Sequence, residues 1–145
     1  MRPTIYTWIL AIFGVITFLP LMMAQLIMLF KPKSQQAKDL IIGKGKEWRD
    51  HTHFRSAIAF AWADIILILP LLVLSNIGVF SGQLWGYGLW LALGILSIYF
   101  SIIFGVLEKA YTYPSCGWLV YYTYFWGFFL YWGIGAAVYS TIIIL

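Results

Sequence analysis

An all-α bundle of four membrane-crossing helices, with both chain ends on the extracytoplasmic face, is the fold this sequence predicts. Three observations predict it. The chain is greasy throughout: 63% of its 145 residues are hydrophobic, 10% are charged, and the mean hydropathy is +0.89. Its apolar residues gather into four long runs, Ile5 to Phe30, Phe54 to Phe80, Leu84 to Leu107 and Trp118 to Leu145. Each exceeds the roughly 20 residues that cross about 30 Å of hydrocarbon. Its cations crowd one place: Lys31, Lys33, Lys38, Lys44, Lys46, Arg49 and Arg55, seven of the nine, lie between or beside the first two runs.

The cation asymmetry sets the orientation. Lys109 falls in the third connection and no cation falls near Ser81 to Gln83 in the second. The positive-inside rule therefore puts the first and third connections in the cytoplasm and both termini opposite, with Arg2 arguing the other way. The length suits a single domain over 1–145. Its helices are expected over about 4–30, 47–80, 84–108 and 115–144, with a basic cytoplasmic loop over 31–46. The net charge of +4 comes from that asymmetry, so it implies anionic lipid headgroups near 31–55 as partner and no nucleic acid. Each basic residue near such a surface contributes about 1 kcal/mol. The expected location is a cell membrane, plasma or inner.

Taken in order, the first run begins after Arg2 and reaches Ala24, which mimics a secretory signal and its cleavage site. The run continues through Gln25 to Phe30, longer than a signal core, so a retained helix is expected. Pro32 stops it. Leu40-Ile41-Ile42, between charged residues and Gly43/Gly45, is expected as a short turn lying on the membrane surface. From Lys46 to Pro70 neither Gly nor Pro occurs, so the second helix should start near Glu47 with Trp48 at headgroup depth. Pro20 and Pro70 imply kinks, because nearby polar groups such as Thr17 and Asn76 can serve the freed carbonyls. The short turn Asn76 to Gly82 makes helices two and three antiparallel neighbours. Pro114 suits a helix start. The single cysteine, Cys116, excludes an intrachain disulfide and a cysteine-based metal cluster. On the cytoplasmic side it should be a reduced packing thiol, with palmitoylation as the alternative.

Small and polar residues recur at helical spacing. Helix three carries Gln83, Trp90, Gly94, Ser97, Ser101, Gly105 and Glu108 on one face. Helix two carries Ala57, Ala61, Asp64, Ile68 and Ser75; helix one carries Thr7, Ala11, Gly14 and Gln25; helix four carries Gly133, Ala137 and Ser140. Packing seams in lipid favour such residues. Asp64 is the one ionisable group well inside a span, and a carboxyl at that depth is expected to face a bundle interior. Counting from the basic side at 1.5 Å per residue puts Asp64 and Ser97 about 15 Å deep, Thr123 about 12 Å and Ser101 about 9 Å. Gln25 lies nearer the cytoplasm. These residues form the expected intramembrane polar site, with Glu108 at its cytoplasmic mouth and Tyr121, Tyr122 and Tyr124 as possible donors to Asp64. With no cation in the spans, Asp64 is either protonated or a carboxylate held by hydroxyls. Its role is either to bolt helices together or to form a functional site.

Glu47, Asp50 and His53 step by three, and carboxylate with imidazole suits Zn, Fe or Mn. His51 and His53 point about 200° apart on a helix, which opposes shared ligation. A hydrated helix end with local ion pairing is the simpler reading, and no metal site is assigned. The 8 Trp, 10 Tyr and 11 Phe supply interfacial belts and packing, or the walls of a site for a flat apolar ligand.

The size, the four spans and the basic first connection resemble the membrane-associated enzymes of eicosanoid and glutathione metabolism. Those enzymes hold glutathione with an Arg, Asn and Glu set on helix two; here Arg55 has no matching Asn or Glu after it. Their activity is not carried over. The leading expectation is a non-enzymatic binding, transport-type or accessory subunit with a polar site at Asp64, self-associated or part of a larger membrane complex. The alternative is a membrane-embedded enzyme for a lipid-soluble substrate, using Asp50, His51 and His53 at the cytoplasmic interface. The sequence does not specify a cofactor.

Overall fold

Residues 2–107 and 117–145 are described by the computed structural model, the side chains of Trp118 and Tyr121 excepted. Glu108, Lys109, Pro114 and Cys116 lie outside the described residues. Every regular element described is helical: α1 (Ile5–Phe30), α2 (Gln35–Ile41), α3 (His51–Phe80), α4 (Leu84–Leu107) and α5 (Tyr122–Ile144), the last preceded by a helical turn over Trp118–Tyr121. The helices α1, α3, α4 and α5 are long and apolar enough to cross a bilayer. The chain is an integral membrane protein.

Two boundaries differ from the sequence expectation. Helix α3 begins at His51 and not near Glu47, because the Asp50 carboxylate accepts the His53 backbone N–H at 2.8 Å. Asp is among the strongest N-caps, so it fixes the start. Glu47 instead pairs with Lys38. Within 31–46 the chain forms α2 where only a flat turn at Leu40–Ile42 was expected. Ser34 starts it by accepting the Ala37 N–H at 3.1 Å and donating to the Lys31 carbonyl at 2.7 Å. Ala37 is fully buried and joins Met28 and Ala61, with Ile41, Trp48 and Phe54 packed around them. Trp48 therefore sits in the loop before α3, edge-on to Phe54, and not on the helix itself.

Helix contact rests on small residues. At the α4–α5 crossing the backbones meet: a Cβ on Gly94 would lie 2.8 Å from the Gly133 carbonyl oxygen, and one on Gly133 would lie 2.7 Å from that of Gly94. Gly78 and Gly86 play the same part where α3 turns back into α4. Apolar transfer drives no association inside a bilayer, so such close backbone approach is what holds the bundle. Most of the expected seam is buried: Thr7, Ala11, Gly14 and Gln25 on α1, Ala61, Asp64, Ile68 and Ser75 on α3, Trp90, Gly94, Ser97 and Ser101 on α4, and Gly133 and Ser140 on α5, whereas Ala57, Gly105 and Ala137 are half-buried and Gln83 is exposed. Large side chains such as Ile9, Ile12, Ile66, Ile95, Ile102 and Ile142 turn outward, as lipid-facing surfaces require.

The two halves of the bundle differ. Away from the basic loop the interior is solid, with Val79, Tyr87, Trp90, Leu93 and Trp132 at most 1% exposed. Trp132 sits edge-on to Phe18 and Trp90 and donates its indole N–H to the Leu10 carbonyl at 2.8 Å. At the same end the Tyr139 hydroxyl joins Thr4 and Thr7, tying α5 to the start of α1. Towards the basic loop the helices diverge around a cavity.

Candidate functional site: a cavity beneath the basic loop

Among the described residues the α-helical repeat is broken twice, and both breaks lie on this cavity. Asp64–Ile68 in α3 and Tyr122–Trp126 in α5 are π-helical turns. In α3 the cause is close at hand. Pro70 has no N–H, and its ring crowds the carbonyl four residues back, at Ile66. A wider turn just before it absorbs that crowding, with the Leu69 N–H donating to the Asp64 carbonyl. Neither Thr17 nor Asn76 serves a proline-freed carbonyl: Thr17 Oγ1 has no partner, and Asn76 donates to Leu72. Single π turns recur at functional sites. Here they bring Asp64 and Ile68 to face Phe125 and Trp126 across one space.

That space has a volume of about 310 Å³, within the range of roughly 300–1,000 Å³ usual for small-molecule sites. Its walls are rings: Phe18, Phe60, Phe100, Phe104, Phe129 and Trp126. Phe104 stacks on Trp126 at 4.7 Å with the planes 8° apart, and Phe60 covers Phe104 at 4.6 Å. Its deep polar groups come from three helices: Gln25, Asp64 and Ser97. Gln25 Nε2 donates to Asp64 Oδ2 at 2.8 Å. Gln25 Oε1 and Ser97 Oγ are buried and have no hydrogen-bond partner among the described residues. At the basic end Leu40 and Ile41 of α2 close over the cavity beside His53, Ser56 and Leu107. Asp64 lies about 16 Å along α3 from His53 at 1.5 Å per residue.

The structure brings Gln25, Asp64 and Ser97 together and sets the other expected residues elsewhere. Ser101 donates to the Trp126 carbonyl at 3.0 Å and bolts α4 to the π turn of α5. Thr123 donates to the Leu119 carbonyl of its own helix and does not line the cavity. The Tyr122 hydroxyl donates to the Gly105 and Phe104 carbonyls at 2.7 and 3.1 Å, and Tyr124 is exposed. Glu108 lies outside the described residues. Asp50, His51 and His53 are split: Asp50 is exposed and caps α3, His51 is exposed, and His53 turns inward, edge-on to Trp48 at 5.3 Å. Among the described residues no three His, Cys, Asp or Glu side chains gather as a metal-ion set would.

The cap has a pH signature. The His53 N–H holds the Asp50 carboxyl below the ordinary carboxylate range. A depressed pKa means the capping contribution is complete above the unfolded value and fades as pH falls through the folded one. Asp50→Ala should therefore fray the first turn of α3 at neutral pH, seen as faster amide exchange at Thr52 and His53, and should lose nothing further on acidification.

Sequence reasoning offered aromatic walls for a flat apolar ligand without placing the rings, and it missed α2 as a cover and both π turns. The i, i+4 pairs Phe100/Phe104 and Phe125/Phe129 were the available signal for the walls. No protein-family model matches the chain, and comparison with characterised proteins and with solved structures gives no significant match.

Proposed function

We propose that this protein is a non-enzymatic binding subunit of a cell membrane, taking up a small lipid-soluble ligand in the cavity beneath its basic loop. One observation carries the reading. A buried carboxyl, Asp64, held by the single amide of Gln25, stands with Ser97 in the wall of a ring-lined space of about 310 Å³. A buried polar group left short of hydrogen bonds is costly, by about 1–3 kcal/mol. A ligand that supplies the missing hydrogen bonds gains that much relative to lipid. The aromatic walls offer area for a flat or alkyl body. The positive-inside rule supports a cytoplasmic basic loop and extracytoplasmic termini, and anionic headgroups would gather at 31–55.

The test is occupancy. In lipid nanodiscs the neutral fluorophore N-phenyl-1-naphthylamine should brighten on the wild-type protein above its signal in empty discs. Ala57→Phe places a ring inside the cavity, since Ala57 lines it, and should abolish the excess. Equal brightening with both proteins would show that the probe reads the lipid-facing surface and would refute the reading.

A further inference from the structure

The polar atoms of the cavity specify the sign of what it holds. Deep in the site the protein offers a carboxyl. Asp64 has one oxygen held by the Gln25 amide, and Ser97, whose hydroxyl can donate or accept, lines the same space. All three residues are less than 10% exposed. Among the described residues no lysine or arginine lines the space, and the other titratable group on its wall is His53 at the opposite, basic end. A buried carboxylate needs a charge partner or several donors, and the walls supply neither beyond the one amide. They supply ring faces instead, which attract cations within about 6 Å of their centres.

We propose, on the basis of the cavity reading above, that the ligand is a lipophilic amine. Its ammonium group binds at Asp64, and its apolar body lies among Phe60, Phe100, Phe104 and Trp126. An ammonium carries three donors and no acceptor and brings the opposite charge that the described walls do not supply to Asp64. A carboxylate or phosphate ligand would set like charge against Asp64, and a ketone or ester would bring it neither charge nor donor. The amine enters from the basic side past Leu40 and Ile41, the wall that α2 contributes.

Three probes of one shape separate the possibilities: 4-phenylbutylamine, 4-phenylbutanol and 4-phenylbutyrate. Binding is measured by calorimetry in nanodiscs, with empty discs subtracted, for wild type and for Asp64→Asn, whose side chain keeps its size and its bond to Gln25. The amine should bind wild type at least tenfold tighter than the alcohol, a difference of about 1.4 kcal/mol, with the carboxylate weakest. Asp64→Asn should erase the amine's advantage while leaving the alcohol unchanged. Equal binding of amine and alcohol, or an amine preference that survives Asp64→Asn, overturns the amine assignment and leaves the cavity reading standing. No binding of any probe to wild type above empty discs overturns both. Unchanged thermal unfolding of Asp64→Asn guards against loss of fold; if that variant unfolds, Ser97→Ala takes its place, expected to weaken the amine severalfold and leave the alcohol unchanged, and equal affinity for the amine would overturn the assignment.

Discussion

Gly133→Leu should part α4 from α5 and cost roughly 3 kcal/mol or more of bundle stability, at or beyond the upper end of overpacking penalties. Even the first carbon added there would lie 2.7 Å from the Gly94 carbonyl oxygen, 2.9 Å from Ile98 Cγ1 and 3.2 Å from Ser97 Cβ. The backbone on the far side cannot rotate away as a side chain would. Leucine adds three carbons more, so the helices must separate and forfeit the close contact that holds them in lipid. Ser97 stands beside this crossing, so the cavity floor should loosen with it. Gly88→Leu is the comparison. A Cβ at Gly88 meets nothing within 4 Å, and leucine is the better helix former by somewhat under 1 kcal/mol. That variant should be neutral or slightly stabilised. Detergent-titrated unfolding in bicelles, followed by helicity, reads both; equal stability of the two variants would contradict the backbone contact described.

Gln25→Leu should destabilise by about 1–2 kcal/mol, because it strips the Asp64 carboxyl of the hydrogen bond described at 2.8 Å while leaving the group buried. The loss should be undone by a second change. Gln25→Leu/Asp64→Leu removes both partners, and replacing a buried polar pair by apolar side chains is often neutral or stabilising. The double variant should unfold within about 0.5 kcal/mol of wild type, since hydrogen bonds between membrane helices average only about 0.6 kcal/mol in net worth. It should also show none of the amine preference proposed for the cavity. A double variant as unstable as Gln25→Leu would mean that the pair exists to hold α1 to α3, which is the architectural role weighed for Asp64.

How far the sequence could be read follows from what each feature depends on. The spans depend on hydropathy along one dimension, and α1, α4 and the far ends of α3 and α5 are where the apolar runs place them. The seams depend on spacing within one regular helix, so Thr7 to Gln25 and Trp90 to Ser101 were legible. Thr123 was not. Counting residues gives depth, but the azimuth of Thr123 depends on the π turn that contains it, and this turn points its hydroxyl back to Leu119. Asp64 survived the same hazard because the wide turn of α3 begins at Asp64 itself, after eleven regular residues from His53. The start of α3 and the presence of α2 turned on which of several polar residues capped a helix. Asp50 and Ser34 do so, and the capping preference for Asp and Ser was the signal available in the sequence. The split of His51 from His53 did follow from their two-residue spacing.

The solid layer of Tyr87, Trp90, Leu93 and Trp132 backs the cavity on the side away from the basic loop. For a bound molecule to cross that layer, those four large side chains would have to part.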